Sequence, residues 1–204
     1  MMTTIKPQFS ERLPAAKDES ADLGHLLDSY RNYLMLLARV QIGRRLQGKV
    51  DAADLVQETF LAAHRDIGSF RGTTEKEFVG WLRHILACRL ADLTRRYLGA
   101  KRRDVRVERR LADELDRSSQ AMAHGLVARQ SSPSQHAVRR EQAVLLADAL
   151  CRLPGDYSEV IILRHMEGLS FPAIAERMGR SLDSVDKLWV RGLARLRRML
   201  GGAQ

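Results

Sequence analysis

Ser170-Phe171-Pro172-Ala173-Ile174-Ala175-Glu176-Arg177-Met178, followed by Gly179, spells out a short helix with both of its ends marked. Phe171, Ile174, Ala175 and Met178 recur at i, i+3, i+4 and i+7, which lays one apolar stripe along the helix. Ser170 is a capping residue, and Pro172 is tolerated in the first turn. A glycine just past the last apolar position is a stop signal. Ser181 then opens a longer helix, predicted over about Leu182 to Leu200. Val185, Leu188, Trp189, Gly192 and Leu196 form its inner face. Lys187, Arg191, Arg195 and Arg198 recur at i, i+4, i+8 and i+11 on a face turned away from that core. A short helix, a glycine turn and a basic second helix fit the geometry of a helix–turn–helix in the DNA major groove.

The chain around this motif has 204 residues, enough for one or two domains, and 45% of them are hydrophobic, so cores can form. A formal net charge of +9 favours a polyanionic partner. Cys88 and Cys151 lie far apart within helical patterns, which is neither a disulfide framework nor a zinc spacing. They read as buried, reduced thiols. The histidines are dispersed and form no His-x-x-x-His pair, so no metal and no cofactor is expected. There is no Gly-x-x-x-x-Gly-Lys loop, no Gly-x-Ser-x-Gly turn and no plausible triad, so the chain is not expected to be an enzyme. Met1 to Glu19 is mixed and polar, and no apolar run approaches a membrane span. A cytoplasmic protein with no membrane partner is the expectation.

Outward from the motif, the pattern is helical throughout. Leu26, Leu27, Tyr30, Leu34, Leu37 and Ile42 predict a helix from about Leu23 to Arg45. Asp51 caps a second, Ala52 to Ile67, with Val56, Phe60, Ala63 and Ile67 inward. After a break at Gly68–Thr74, a third helix runs from near Glu75 to about Leu98. Phe78, Leu82, Leu86, Leu90, Leu93 and Tyr97 step along its buried face. Between Gly99 and Ser134 the apolar period fades and charges and serines dominate, as in a linker with some helix in it. Helix resumes from about Gln135 to Arg152, and another covers about Tyr157 to Glu167. The expected fold is all-α. A flexible tail (1–22) precedes a first helical domain (23–100). A flexible linker (101–134) joins it to a second small helical domain (135–204), the helix–turn–helix.

Two further surfaces attract attention. Asp54, Gln57, Glu58 and Leu61 share the outward face of the second helix. That face is either a solvated polar surface or a docking site for a basic partner. Between Trp81 and Arg110 there are ten basic residues against three acids, a local net of +7. Such a concentration suggests phosphate contact, which supplies affinity without sequence information. Phe70, Phe78, Trp81 and Tyr97 lie beside this basic stretch. Most read as core, with one or two near the Phe70–Gly80 break placed to meet an unstacked base.

Taken in order, these pieces match a known pattern. Asp54-Leu55-Val56-Gln57-Glu58-Thr59-Phe60, Ser69-Phe70-Arg71-Gly72 and Trp81-Leu82 look like sigma region 2. Leu153-Pro154, Val160-Ile161-Ile162-Leu163-Arg164, Glu167-Gly168-Leu169-Ser170 and Ile174-Ala175 look like sigma region 4. The chain resembles an extracytoplasmic-function (ECF) sigma factor of bacterial RNA polymerase over about Leu23 to Leu200, the linker excepted. The resemblance implies that Asp54, Gln57, Glu58, Phe60 and His64 dock on the clamp helices of the largest subunit of core RNA polymerase. It implies that the loop from about Phe70 to Glu77, with Phe70, Arg71, Thr73 and Thr74, captures a base flipped from the −10 element of promoter DNA. Trp81, His84, Cys88, Arg95 and Arg96 would follow the melted strand. Seven residues after the tryptophan the family often has asparagine; Cys88 stands there instead. In region 4, Ser184, Asp186, Lys187, Arg191 and Arg195 would read the −35 duplex. Asp186 either accepts a hydrogen bond from a cytosine amine or points to solvent. The linker would thread toward the polymerase active centre. Members are often held by an anti-sigma factor, which makes such a protein a further expected partner.

The alternative from another class is a stand-alone helix–turn–helix transcriptional regulator with a helical sensor domain. The first domain shows no ligand-pocket signal and no dimerisation heptad, which weighs against it.

Overall fold

A computed structural model describes residues 9–18, 20–45, 50–98, 105–125 and 136–201, and its described elements are helices, without a strand among them. The chain divides into two compact units, residues 1–115 and 116–204.

The first unit is built from α1 (Phe9–Asp18), α2 (Ser20–Asp28), α3 (Arg31–Arg45), α4 (Ala52–Asp66) and α5 (Glu75–Leu98), with a single 3-10 turn, Ile67–Ser69, after α4. Asp51 caps α4, its carboxylate accepting the Ala53 amide at 2.9 Å. α4 packs against α3 and α5, and Leu34, Leu37, Leu55, Phe78, Leu82, Leu86 and Leu90 close the core between them. The apolar stripes read from sequence are thus the buried ones, except that Ile67 is half-buried and Tyr97 is 51% exposed at the end of α5.

Three expectations need correction here. Residues 9–18 form a helix rather than part of a flexible tail. Phe9 packs on Phe78 with ring centroids 5.4 Å apart, Leu13 and Ala16 are buried, and Arg12 donates to the Ser29 hydroxyl at 3.1 Å. The single helix expected from Leu23 to Arg45 is two, broken at Ser29-Tyr30, whose amides turn back to the Leu26 and Leu27 carbonyls. Residues 105–125, expected as flexible linker with some helix in it, form one continuous helix, α6 (Val105–Gly125). Val107, Leu111 and Leu115 lie on one side of it at i, i+4 and i+8, and both leucines are buried. The rest of the expected linker lies outside the described residues.

The second unit holds α7 (His136–Cys151), α8 (Gly155–His165), α9 (Phe171–Met178) and α10 (Leu182–Gly201). Ser170 caps α9, its hydroxyl accepting the Ala173 amide at 3.4 Å. Gly179 ends it in the left-handed region at φ +61°, where a side chain would be strained, and the Arg180 amide bonds back to the Ala175 carbonyl. Ser181 accepts the Ser184 amide at 3.3 Å and starts α10. Val160, Ile161, Leu163, Ile174, Val185 and Leu196 fill the space between α8, α9 and α10. Cys151 is exposed and Cys88 half-buried, so the two thiols are not buried as expected; neither is in a disulfide.

Candidate nucleic-acid interface

The α4 surface comes first in the chain. Asp54, Gln57 and His64 are exposed and Glu58 is half-exposed, so the helical spacing places them outward as read. Leu61 stands among them 56% exposed. Phe60 does not join them. It is buried, with the Arg31 guanidinium 5.1 Å above its ring, and supports the helix rather than offering a contact. Glu58, Leu61, His64 and Arg65 line one wall of an open groove of about 450 Å³ whose other wall is Arg89 and Arg96 of α5. Arg96, expected on the −10 surface, thus also borders the α4 surface.

The loop into α5 is held by an aromatic wedge. Phe70 was expected to meet a base but is only 6% exposed, its ring 5.5 Å from Phe78 and 5.1 Å from Trp81. A phenylalanine in a glycine-rich break reads as available; here the break folds back over its own ring. Arg71, Thr73 and Thr74 stay exposed. Thr74 and Glu77 form a capping box: the Thr74 hydroxyl and the Thr73 and Thr74 amides donate to the Glu77 carboxylate at 2.8, 3.0 and 3.0 Å. The Glu77 amide donates back to the Thr74 hydroxyl at 3.3 Å. These bonds, the Thr74 hydroxyl's first, hold the Glu77 carboxyl below its ordinary pKa. A Cβ on Gly72 would run into the Phe70 ring and fall 2.8 Å from the Glu77 Cβ. Gly72→Ala is therefore expected to cost on the order of 1–3 kcal/mol, as overpacking does. Urea unfolding of the full chain measures it; an unchanged midpoint would mean the loop opens freely.

Along α5, Trp81, His84, Cys88 and Arg95 share a face by their spacing. Trp81 is half-buried, His84 exposed, and the Cys88 Sγ sits 3.8 Å from the His84 Nε2. Arg95 is ion-paired with Asp92, which also holds Arg89 at 3.4 Å. The ten-cation stretch is thus less uniform than its composition. Arg83 is buried and donates to the Tyr33 hydroxyl at 3.0 Å, an internal strut rather than a phosphate ligand. Lys101, Arg102 and Arg103 lie outside the described residues.

On α10, Lys187, Arg191, Arg195 and Arg198 are all exposed, and Val185, Gly192 and Leu196 are buried on the opposite side. Asp183 pairs with Lys187 at 2.6 Å. Asp186 is exposed and Ser184 half-exposed. Trp189 is half-buried, and sequence reasoning missed what seats it: its indole N–H donates to the His165 Nε2 at 3.3 Å, and Phe171 meets it edge-on at 5.4 Å. α8, α9 and α10 meet in this cluster. An acceptor Nε2 requires a neutral imidazole. Burial, and then the Arg164 charge beside it, keep the His165 pKa below the ordinary histidine value. The unfolded chain, titrating near pH 6.5, then binds the proton more readily than the folded one. The stability contributed by neutral His165 is complete above that pH and is lost as pH falls through the lower folded value. His165→Gln keeps an acceptor and removes the titration. Thermal unfolding of the variant is expected to depend less on pH between about 7 and 5 than that of the parent. Superimposable profiles would rule out the imidazole as the cause.

Comparison with known proteins identifies the family. Residues 29–98 match the family model described as Sigma-70 region 2, and residues 143–196 match Sigma-70, region 4. The chain is 32% identical over 160 residues to the ECF RNA polymerase sigma-E factor of Haemophilus influenzae, an alignment spanning 78% of this chain and 77% of that one. It is 27% identical over 203 residues to the ECF RNA polymerase sigma factor SigW of Bacillus subtilis, 98% of each chain. The solved structure of CnrH in complex with the cytosolic domain of CnrY aligns with 96% of this chain and 99% of that one at 25% identity, with a TM-score of 0.34. With a region 2 match, a region 4 match and a relative at this identity, the chain belongs to the ECF sigma factors of RNA polymerase.

Proposed function

We propose that the first unit anchors the protein on core RNA polymerase and engages the −10 element, and that the helix–turn–helix unit holds the −35 duplex. Asp54, Gln57 and Glu58 are the anchoring residues, with His64 and the exposed Leu61 at their edge and Arg96 across the groove. Arg71, Thr73 and Thr74 of the loop, with the Trp81, His84, Cys88 and Arg95 face of α5, receive the melted strand. Phe70 and Phe60 act by positioning these surfaces. Ser184, Asp186, Lys187, Arg191 and Arg195 face the −35 groove. Binding of unstacked bases offsets the cost of opening, a few kcal/mol for each flipped base. The chain performs no covalent step of its own and works in the cytoplasm, where the polymerase is; no described helix is long and apolar enough to cross a membrane.

The observation that supports this reading most is the exposed cationic row of α10, standing opposite a buried seam on a capped helix–turn–helix. Arg191→Ala tests it. The variant is expected to lose −35-dependent initiation by about tenfold or more, the weight of one good base or phosphate contact, and to bind core polymerase as before. Equal loss of both activities would make Arg191 structural.

A further inference from the structure

Between the cations of α10 stands a residue that takes no part in the proposed contacts. Val190 is 58% exposed, and Ala194, one turn on, is exposed too. Scattered surface valines need no explanation; the position of this one does. At 100° per residue, the buried seam of Val185, Gly192 and Leu196 has its opposite pole close to Ala194, with Val190 and Lys187 on either side of it. Arg198 lies as near the pole as Val190, beyond Lys187, with Arg191 and Arg195 further round on that same side and the exposed Arg197 on the other. Along the part of α10 turned farthest from its own core, the paired Asp183 and Lys187 near its N-terminus are followed by two side chains that cannot form hydrogen bonds, before Arg198.

On the −35 duplex this pole faces the floor of the major groove. Donors and acceptors there lose water when a helix docks, and an aliphatic side chain pressed on them leaves them unpaired, at a cost. The floor offers one apolar group, the C5-methyl of thymine. We propose that Val190, with Ala194 beside it, reads a thymine C5-methyl in the −35 element, so that this protein prefers T·A at that step through apolar contact. The inference rests on α10 being the −35 reader. The arginines around the pole supply affinity, and the valine supplies discrimination for a methyl that a guanidinium cannot.

The test uses the full chain with core polymerase. Promoters are first recovered by transcription from a library randomised in both upstream elements. Each −35 thymine is then replaced by deoxyuridine, which keeps every hydrogen-bonding group and removes the methyl. At one position initiation is expected to fall about three- to fourfold, the factor for returning one methyl-sized surface to water. Val190→Ala, a change that an exposed helical position accepts readily, should lower initiation on the thymine promoter by a similar factor and be indifferent to deoxyuridine. If deoxyuridine has no effect at any −35 thymine, or if Val190→Ala keeps the parental sensitivity, the proposal is wrong while the sigma-factor reading stands. If the library yields no promoter, that reading falls, and the proposal with it.

Discussion

Gly192→Leu is expected to unfold the helix–turn–helix unit or come close to it. Gly192 is where α10 crosses α8: a Cβ there would stand 3.2 Å from the Ile161 Cδ1, 3.3 Å from the Tyr157 Cβ and 3.4 Å from the Tyr157 carbonyl oxygen. Alanine is tight at these distances but gains about 1 kcal/mol of helix propensity over glycine, so Gly192→Ala should be close to neutral. Leucine carries three more carbons into the same space, against a backbone atom that cannot turn aside. Its penalty belongs at or above the upper end of the roughly 1–3 kcal/mol seen for overpacked cores. Thermal unfolding of the full chain followed by circular dichroism reads the loss. −35-dependent initiation should disappear at a temperature where the parent is active. A leucine variant as stable as the alanine variant would mean that α8 and α10 do not meet here.

The second large effect is expected at the α4 surface. Glu58 is half-exposed and lines a groove that already holds Arg65, Arg89 and Arg96. Glu58→Lys reverses the charge offered to a basic partner. Like charges facing each other across an interface cost several kcal/mol, so affinity for core polymerase should fall at least tenfold. The fold should survive, because lysine at this half-exposed position can carry its charge into water. A binding titration against core polymerase, with an unfolding curve beside it, separates the two. Undiminished affinity would remove Glu58 from the docking surface; a matching loss of stability would make it a structural residue.

What could be read from the chain before its structure depended on how far apart the deciding residues lie. The helix–turn–helix was legible because Ser170, the four-residue stripe and Gly179 sit within ten positions and each acts locally. α4 was legible for the same reason, through Asp51 and its apolar period. α6 was legible only as some helix within a linker, since the charges between Val107, Leu111 and Leu115 dominate the composition. α1 was missed because Pro7 and Pro14 suggest a tail, while its anchor, Phe9 on Phe78, spans most of the first unit's sequence. Long-range pairing also governs the misread site residues. Nothing near Arg83 in sequence reveals Tyr33 as its partner, and nothing near Phe70 reveals that the loop closes over it. Composition counts a buried arginine and an exposed one alike. Trp189 was read as inward, correctly, but its imidazole acceptor lies 24 positions earlier and had no local mark.

In the proposed division of labour one unit grips the enzyme and the other grips duplex DNA, and strand opening follows from holding both. The most direct measurement is promoter-dependent run-off synthesis by sigma-free core polymerase on a broad promoter library, with and without the purified chain. The account predicts discrete transcripts that appear only when the chain is added and that share two upstream elements. Transcripts that are the same in its presence and absence, or tight sequence-specific duplex binding by the chain alone with no initiation, would contradict it.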